Sequence, residues 1–302
     1  MQDKTQNINW FPGHMAKAQR QIEERLKLVD IVLELIDARI PFSSINPSFE
    51  KMLKNKKKII IITKIDLADN YELNKAIDYY KEKGETVLPI DSAHNVNISK
   101  INNLCKDVLK EKREKDKAKG LKERPIRIMI LGIPNVGKST LINRLCKKNV
   151  VEAKNTPGVT KSEQWVKINK DLELLDTPGV LWPKFDSVQT SFNLALTGAI
   201  KDSIVKKDDM MLYFLEYLHK RYKSSLSYYL LSEDDFDKLV LDNDMRYANP
   251  YVNVLDELAK RKTFIRDERI DYERVYNMLL SDFRNGNLGL ISLDNLGAND
   301  EE

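Results

Sequence analysis

Residues 132–139 read Gly-Ile-Pro-Asn-Val-Gly-Lys-Ser, the spacing G-x-x-x-x-G-K-S. These residue types in this order suit the capture of a phosphate chain. Gly132 and Gly137 let the backbone curl, so that the amides from Asn135 and Val136 through Ser139 and Thr140 face a β-phosphate. Lys138 neutralises β and γ oxygens, and the Ser139 hydroxyl is a ligand for Mg²⁺. The flanks supply the elements such a loop requires. Ile126 to Leu131 reads as a buried strand, and Ser139 to Lys148 as the helix that follows it.

A second phosphate element lies downstream. Leu172-Glu173-Leu174-Leu175 alternates like a strand and delivers Asp176-Thr177-Pro178-Gly179 at its C-terminal end, where ligands bind in open α/β sheets. Asp176 is expected to hold Mg²⁺ through water, and the Gly179 N–H to approach a γ-phosphate. Between the two elements, Asn155 to Thr160 offers two threonines as a nucleotide-sensing Mg²⁺ ligand; Thr160 is preferred, with Thr156 as the alternative.

Base selection is read from Thr63-Lys64-Ile65-Asp66, which follows the strand Lys58-Ile59-Ile60-Ile61-Ile62. The Asp66 carboxylate can accept from guanine N1–H and the 2-amino group together, whereas adenine presents an acceptor and no amino group there. Lys64 is expected along the face of the base. Ser92-Ala93, after a strand over Thr86 to Ile90, is expected to give a backbone N–H to guanine O6. In an ordinary GTPase the base motif follows the phosphate loop, and here it precedes it. The order predicts a circularly permuted P-loop GTPase domain of α/β class over residues 1–184.

Past Pro183 helical periodicity takes over, as in Met210 to Leu218, Val252 to Ala259 and Val275 to Phe283, with Gly286 as a helix stop. A small all-helical domain is therefore expected over 185–302, ending in an acidic tail from Gly297. The 302 residues, 42% of them hydrophobic, suffice for two cores. No apolar run approaches the length of a membrane span, and the N-terminus is polar rather than a signal peptide, so a cytoplasmic protein is expected; a monomer in solution is the accompanying expectation. Cys105 and Cys146 lack paired spacing, which argues against a zinc site or a disulfide framework. His14, His94 and His219 are too scattered to form a metal site. Residues 201–302 carry 15 Lys+Arg against 21 Asp+Glu, a net of −6, so the first 200 residues carry +10 of the overall +4. The basic side chains gather in Lys51, Lys54, Lys56, Lys57 and Lys58 and in an exposed helix over Lys106 to Lys119. That helix reads equally as a solvated linker or as a phosphate-backbone contact.

Further segments carry a resemblance: Asn9-Trp10-Phe11-Pro12-Gly13-His14-Met15, Asp37-Ala38-Arg39-Ile40-Pro41, Asn46-Pro47, Leu181-Trp182-Pro183-Lys184 and Gly198-Ala199-Ile200-Lys201. With the GTPase motifs, they make the chain resemble the circularly permuted GTPases of the YlqF type over nearly its whole length. The resemblance implies a GTP-hydrolysing assembly factor for the bacterial large ribosomal subunit, with the precursor subunit and its rRNA as partners and with hydrolysis stimulated by the ribosome and coupled to release. Ras-like enzymes place a water-orienting glutamine after the second phosphate motif, and this chain has Val180-Leu181. The resemblance implies two replacements: Asn135 holding K⁺, which offsets transition-state charge, and His14 positioning the water. The bland alternative for His14 is a helix-start residue that packs or caps. Lys138 completes the catalytic set. The family's helical domain touches rRNA, which in this acidic domain would fall to Lys260, Arg261, Lys262, Arg266 and Arg269. Thr63, Ile45 and Thr156 depart from the family, which usually has Asn at the first position and Arg at the other two. A reading of a different class is a G-protein switch acting on a protein effector without RNA; an ATP-dependent small-molecule kinase is disfavoured by Asp66.

Overall fold

The computed structural model describes residues 13–146, 165–175, 185, 187–241, 247–267 and 269–294, with side chains from residue 20 onward. Three isoleucine-, leucine- and valine-rich runs form its centre: β1 Ile31–Asp37, β2 Lys57–Thr63 and β4 Ile126–Gly132. β1 is buried at every position, which is why its sequence, IVLELID, is apolar on both faces but for Glu34 and the closing Asp37 rather than alternating. With β3 Val87–Pro89, β5 Trp165–Lys167 and β6 Leu172–Leu175 they make a six-stranded sheet in the order β3-β2-β1-β4-β6-β5. All neighbours are parallel except the edge pair β5–β6.

The helices of this part are α1 Gly13–Leu26, α2 Pro47–Leu53, α3 Asn70–Glu82, α4 Lys100–Val108, α5 Lys110–Ala118 and α6 Lys138–Cys146. The helix expected over Lys106 to Lys119 is divided at Leu109, which is itself buried. α4 buries Ile101 and Cys105, whereas α5, KEKREKDKA, buries nothing. The division follows from that change of pattern, because only the first segment has an apolar stripe to seat on the sheet.

The C-terminal part contains α7 Val188–Leu196, α8 Lys207–Arg221, α9 Glu233–Leu241, α10 Tyr251–Arg261 and α11 Tyr272–Asn285. Gly286 ends α11 at φ +79°, a conformation glycine tolerates, as its sequence position predicts. A two-stranded hairpin, β7 Ile265–Arg266 and β8 Arg269–Ile270, interrupts a region expected to be all helix. The boundary expected at residue 184 and the acidic tail from Gly297 lie outside the described residues. Buried side chains of the sheet, including Ile128, Ile130 and Leu174, and of the helices, including Phe214, Leu255 and Phe283, belong to one continuous core. The segment after α11 adds polar stitches to the base-motif strands. Ile291 N–H donates to Leu67 O at 3.2 Å and Leu293 N–H to Arg39 O at 2.7 Å. The half-buried Asp294 carboxylate accepts from Phe42 N–H at 2.8 Å, Ser43 N–H at 2.5 Å and Asn193 Nδ2 at 2.8 Å. Among the described residues no helix is long and apolar enough to cross a membrane.

Candidate active site

Parallel strands place their C-terminal ends on one edge, so Asp37, Thr63, Gly132 and Leu175 line up there. The register sets Leu35 of β1 beside Gly132 and Asp37 beside Thr63. The first strand therefore brings the phosphate loop and the base motif together. Their contact is direct: Thr63, 1% exposed, places Oγ1 2.7 Å from Val136 O and 3.0 Å from Ile36 O. The residues it joins are 73 positions apart.

The loop has the curl its glycines predict. A Cβ on Gly132 would lie 2.8 Å from Leu35 O and 3.0 Å from Val136 Cγ1, so no side chain fits against β1. Asn135 at φ +57° and Gly137 at φ +104° turn successive amides toward one side, an arrangement that suits an anion. Lys138 opens α6 and donates from Nζ to Gly132 O at 3.0 Å and Ile133 O at 2.7 Å, which holds its ammonium within the loop. Ser139 and Thr140 follow in the first turn of α6, where the helix dipole favours negative charge. Asn135 donates from Nδ2 to Gly198 O at 2.6 Å and so ties the loop to the turn after α7.

On the base side, Asp66 lies in a short 3₁₀ turn entered through Lys64 at φ +57°. Its carboxylate is within 4.8 Å of the ligand atoms of Asp91 and His94. The Lys64 Nζ is 2.8 Å from Asp37 Oδ2, so its ammonium is anchored at the end of β1. Asp37, 2% exposed, also accepts from Arg39 Nε at 3.0 Å and Nη2 at 2.9 Å. Burial alone would push the Asp37 carboxyl up, but Arg39 and Lys64 beside it hold it well below the usual carboxylate range. In the Ser92-Ala93 turn one of the two expected donors has a partner within the protein. Ala93 N–H is already committed to Asp91 Oδ1 at 2.7 Å, whereas Ser92 N–H has no partner among the described residues and Ser92 Oγ is buried without one.

Asp37, Arg39 and Arg144 are not among the site residues expected from sequence. The last donates from Nε to Ser92 O at 2.9 Å and from Nη2 to Ala93 O at 2.7 Å. Asp37 had a local signal, a carboxylate closing an apolar strand as Asp66 nearly does; Arg144 had none. Thr156, Thr160, Asp176, Gly179 and Val180 lie outside the described residues, as does the side chain of His14. The donor set present fits Mg²⁺ chemically, since Ser139 supplies a hard oxygen ligand beside an anion-binding loop.

Comparison with known proteins agrees with this geometry. Residues 127–243 match the family model described as 50S ribosome-binding GTPase, and residues 3–107 match the model of ethanolamine utilisation - propanediol utilisation. The chain is 42% identical over 288 residues to ribosome biogenesis GTPase A of Bacillus cereus, covering 95% of this chain and 93% of that protein. It is 43% identical to the Bacillus licheniformis protein of the same name, covering 95% and 98%. Mitochondrial ribosome-associated GTPase 1 of Mus musculus is 36% identical over 300 residues, covering 94% and 89%. Among solved structures, GNP-bound YlqF from T. maritima superposes with a TM-score of 0.61 at 22% identity, covering 92% of this chain and 98% of that one, which supports the fold. The chain therefore belongs to the ribosome biogenesis GTPase A family of circularly permuted, YlqF-type GTPases.

Proposed function

We propose that this GTPase docks, as a cytoplasmic monomer, on the maturing large ribosomal subunit, is stimulated there to hydrolyse GTP, and leaves after hydrolysis. The observation that carries the nucleotide half of this reading is the Thr63–Val136 contact at 2.7 Å, which brings the guanine motif and the phosphate loop to one edge of one sheet. Asp66 selects the base and the Ser92 donors meet O6. Lys138 and the amides from Asn135 and Val136 through Gly137, Ser139 and Thr140 bind the phosphates. Ser139, with Thr160 and Asp176, holds Mg²⁺, which when bound neutralises the β and γ oxygens. Asn135 is the residue to hold K⁺ through its carboxamide oxygen, Gly179 meets the γ-phosphate, and His14 orients the attacking water in the ribosome-bound state. With Val180 in place of a glutamine, turnover off the ribosome is slow.

Charge supports an RNA partner. Lys58 is withdrawn into contacts with Glu34 at 3.3 Å and Glu85 at 3.0 Å, and Lys56 donates to Val29 O at 2.7 Å. Lys51, Lys54 and Lys57 remain exposed with no ion pair among the described residues, and Lys27 joins Lys51 on a groove between α1 and α2. Glu23 also lines this groove, so its charge is predominantly rather than wholly basic. In the helical part, Arg261 is engaged by Glu257 and Leu230 O and Lys262 lies over the Tyr229 ring, so less of that patch is open to phosphate.

The test is the GTPase rate with and without purified large subunits, paired with co-sedimentation in a non-hydrolysable GTP analogue before and after ribonuclease. Stimulation by subunits and ribonuclease-sensitive pelleting support the reading. A rate indifferent to subunits, with no pelleting, favours a switch acting on a protein effector.

A further inference from the structure

We propose that Arg144 is a positioning residue for guanine recognition, through which the helix that carries the phosphate loop fixes the turn that reads the base. The inference rests on the base pocket assigned above to Asp66 and Ser92.

The turn Asp91–His94 follows β3, and two of its peptide planes are held at both ends. In the Ser92–Ala93 plane, the carbonyl accepts from Arg144 Nε at 2.9 Å and the Ala93 N–H donates to Asp91 Oδ1 at 2.7 Å. In the Ala93–His94 plane, the carbonyl accepts from Arg144 Nη2 at 2.7 Å and the His94 N–H donates to the same Asp91 oxygen at 3.0 Å. A guanidinium thus grips the carbonyl side and a carboxylate the amide side, and turning either plane breaks two charge-assisted bonds at once. His94 Nδ1, 2.5 Å from Asp91 Oδ2, fixes that carboxylate in turn. Burial would raise the Asp91 carboxyl, but the His94 and Ala93 bonds hold it below the usual range, so it stays an acceptor at neutral pH.

What the clamp leaves uncommitted is Ser92. Neither its N–H nor its Oγ has a partner among the described residues, and the residue is only 7% exposed. A buried, unpaired hydroxyl is costly unless a ligand satisfies it. At the same turn stands the Asp66 carboxylate, within 4.8 Å of the side-chain ligand atoms of Asp91 and His94 on either side of Ser92 and Ala93. A donor next to a carboxylate complements guanine, whose O6 acceptor adjoins the N1–H and 2-amino donors. Adenine would set its 6-amino group against those same donors.

Arg144 lies six residues after Lys138 on one helix, about 9 Å along its axis. One end of α6 carries the phosphate-binding lysine and the other holds the base-reading turn, although the gripped carbonyls lie 52 and 51 residues earlier in the chain. Only a planar, forked cation reaches both carbonyls together; a lysine reaches one. Without Arg144 the turn samples other peptide orientations, and the Ser92 donors are no longer prearranged for O6.

The experiment is calorimetric binding of GDP, IDP and 6-thio-GDP to the full chain and to Arg144→Ala and Arg144→Lys. IDP keeps O6 and N1–H and lacks the 2-amino group; 6-thio-GDP keeps both donors and replaces O6 by sulfur, a weak acceptor. Arg144→Ala should weaken GDP and IDP together by about tenfold, or roughly 1.4 kcal/mol, with little change for 6-thio-GDP. The preference for oxygen over sulfur then collapses, and Arg144→Lys falls between. If all three ligands weaken by one factor, or none weakens, Arg144 does not position the O6 donors. If Arg144→Ala fails to fold, an unchanged GDP to 6-thio-GDP ratio in Arg144→Lys likewise overturns the positioning role. A wild-type chain that binds 6-thio-GDP as tightly as GDP refutes the base-pocket reading itself, a result visible before any variant is compared.

Discussion

Replacing Thr63 by valine tests whether the two halves of the nucleotide site are joined where the structure joins them. Valine keeps the branched shape and nearly the volume of threonine, so a side chain 1% exposed loses its hydroxyl and little packing. That hydroxyl lies 2.7 Å from Val136 O, within the phosphate loop, and 3.0 Å from Ile36 O in β1. It has one proton, and the shorter contact is to the loop. Losing a neutral hydrogen bond costs about 1 kcal/mol, and leaving its buried acceptor unsatisfied raises the cost to about 3 kcal/mol. The loss should appear in two places: unfolding free energy reduced by about 1 to 3 kcal/mol, and GDP affinity lowered by roughly 5- to 30-fold because the loop amides are less well held. Thr63→Ser, which keeps the hydroxyl and loses the methyl, should retain GDP affinity while losing some stability to poorer packing. Urea unfolding and calorimetric GDP binding on the three proteins separate the terms. If Thr63→Val matches wild type in both, the hydroxyl bridge does not couple the halves; if Thr63→Ser loses affinity as fully as valine does, packing rather than the hydrogen bond is responsible.

Three further outcomes are expected. Asp66→Asn should weaken GTP binding by about 2 to 4 kcal/mol and leave xanthine nucleotide, whose C2 oxygen accepts from the new amide, the better ligand; unchanged GTP affinity removes Asp66 from the pocket. GTP turnover should be higher in K⁺ than in Na⁺ at equal ionic strength, and Asn135→Ala should flatten the difference, with a melting curve recorded because the variant also loses the 2.6 Å bond to Gly198 O; equal wild-type rates in the two salts refute the K⁺ role. Asp30→Asn should destabilise the fold near neutral pH: burial raises the Asp30 carboxyl, but bonds from Arg124, Lys112 and the Arg127 N–H bring it down to about 2 from 3.8. A lowered folded-state pKa stabilises above the unfolded value and is lost as pH falls through the folded one, so the deficit should be about 1 to 2 kcal/mol above pH 4, allowing for exposed partners, and shrink toward pH 2 in urea titrations; a pH-independent deficit refutes the ion-pair origin.

The sequence alone was sufficient wherever the physics is local. A phosphate loop needs glycines at fixed offsets and a lysine at its end, and Gly132, Gly137 and Lys138 stand in that order on any chain that builds one. A strand buried on both faces needs an unbroken apolar run, and the isoleucines of β2 announce it. A helix stop needs φ above zero, and Gly286 supplies it. The inverted order of motifs disclosed the permutation without coordinates, because sheet order tolerates a change in where the chain begins.

What tertiary structure decided are polar contacts between residues distant in sequence, which leave no periodic trace. That the Lys64 ammonium pairs with Asp37 depends on a strand 27 residues away. That Lys58 is withdrawn from a basic run while Lys57 stays exposed follows from Glu34 on the same face of the neighbouring strand, two positions beyond its register partner Val32. Arg144 reaches the base-reading turn over 52 residues, and Asp294 reaches Phe42 over 252. In each case the side chain's own neighbours in sequence are compatible with a solvated surface charge. Only the fold, by removing water from one face and bringing an opposite charge or an open carbonyl to it, assigns the partner.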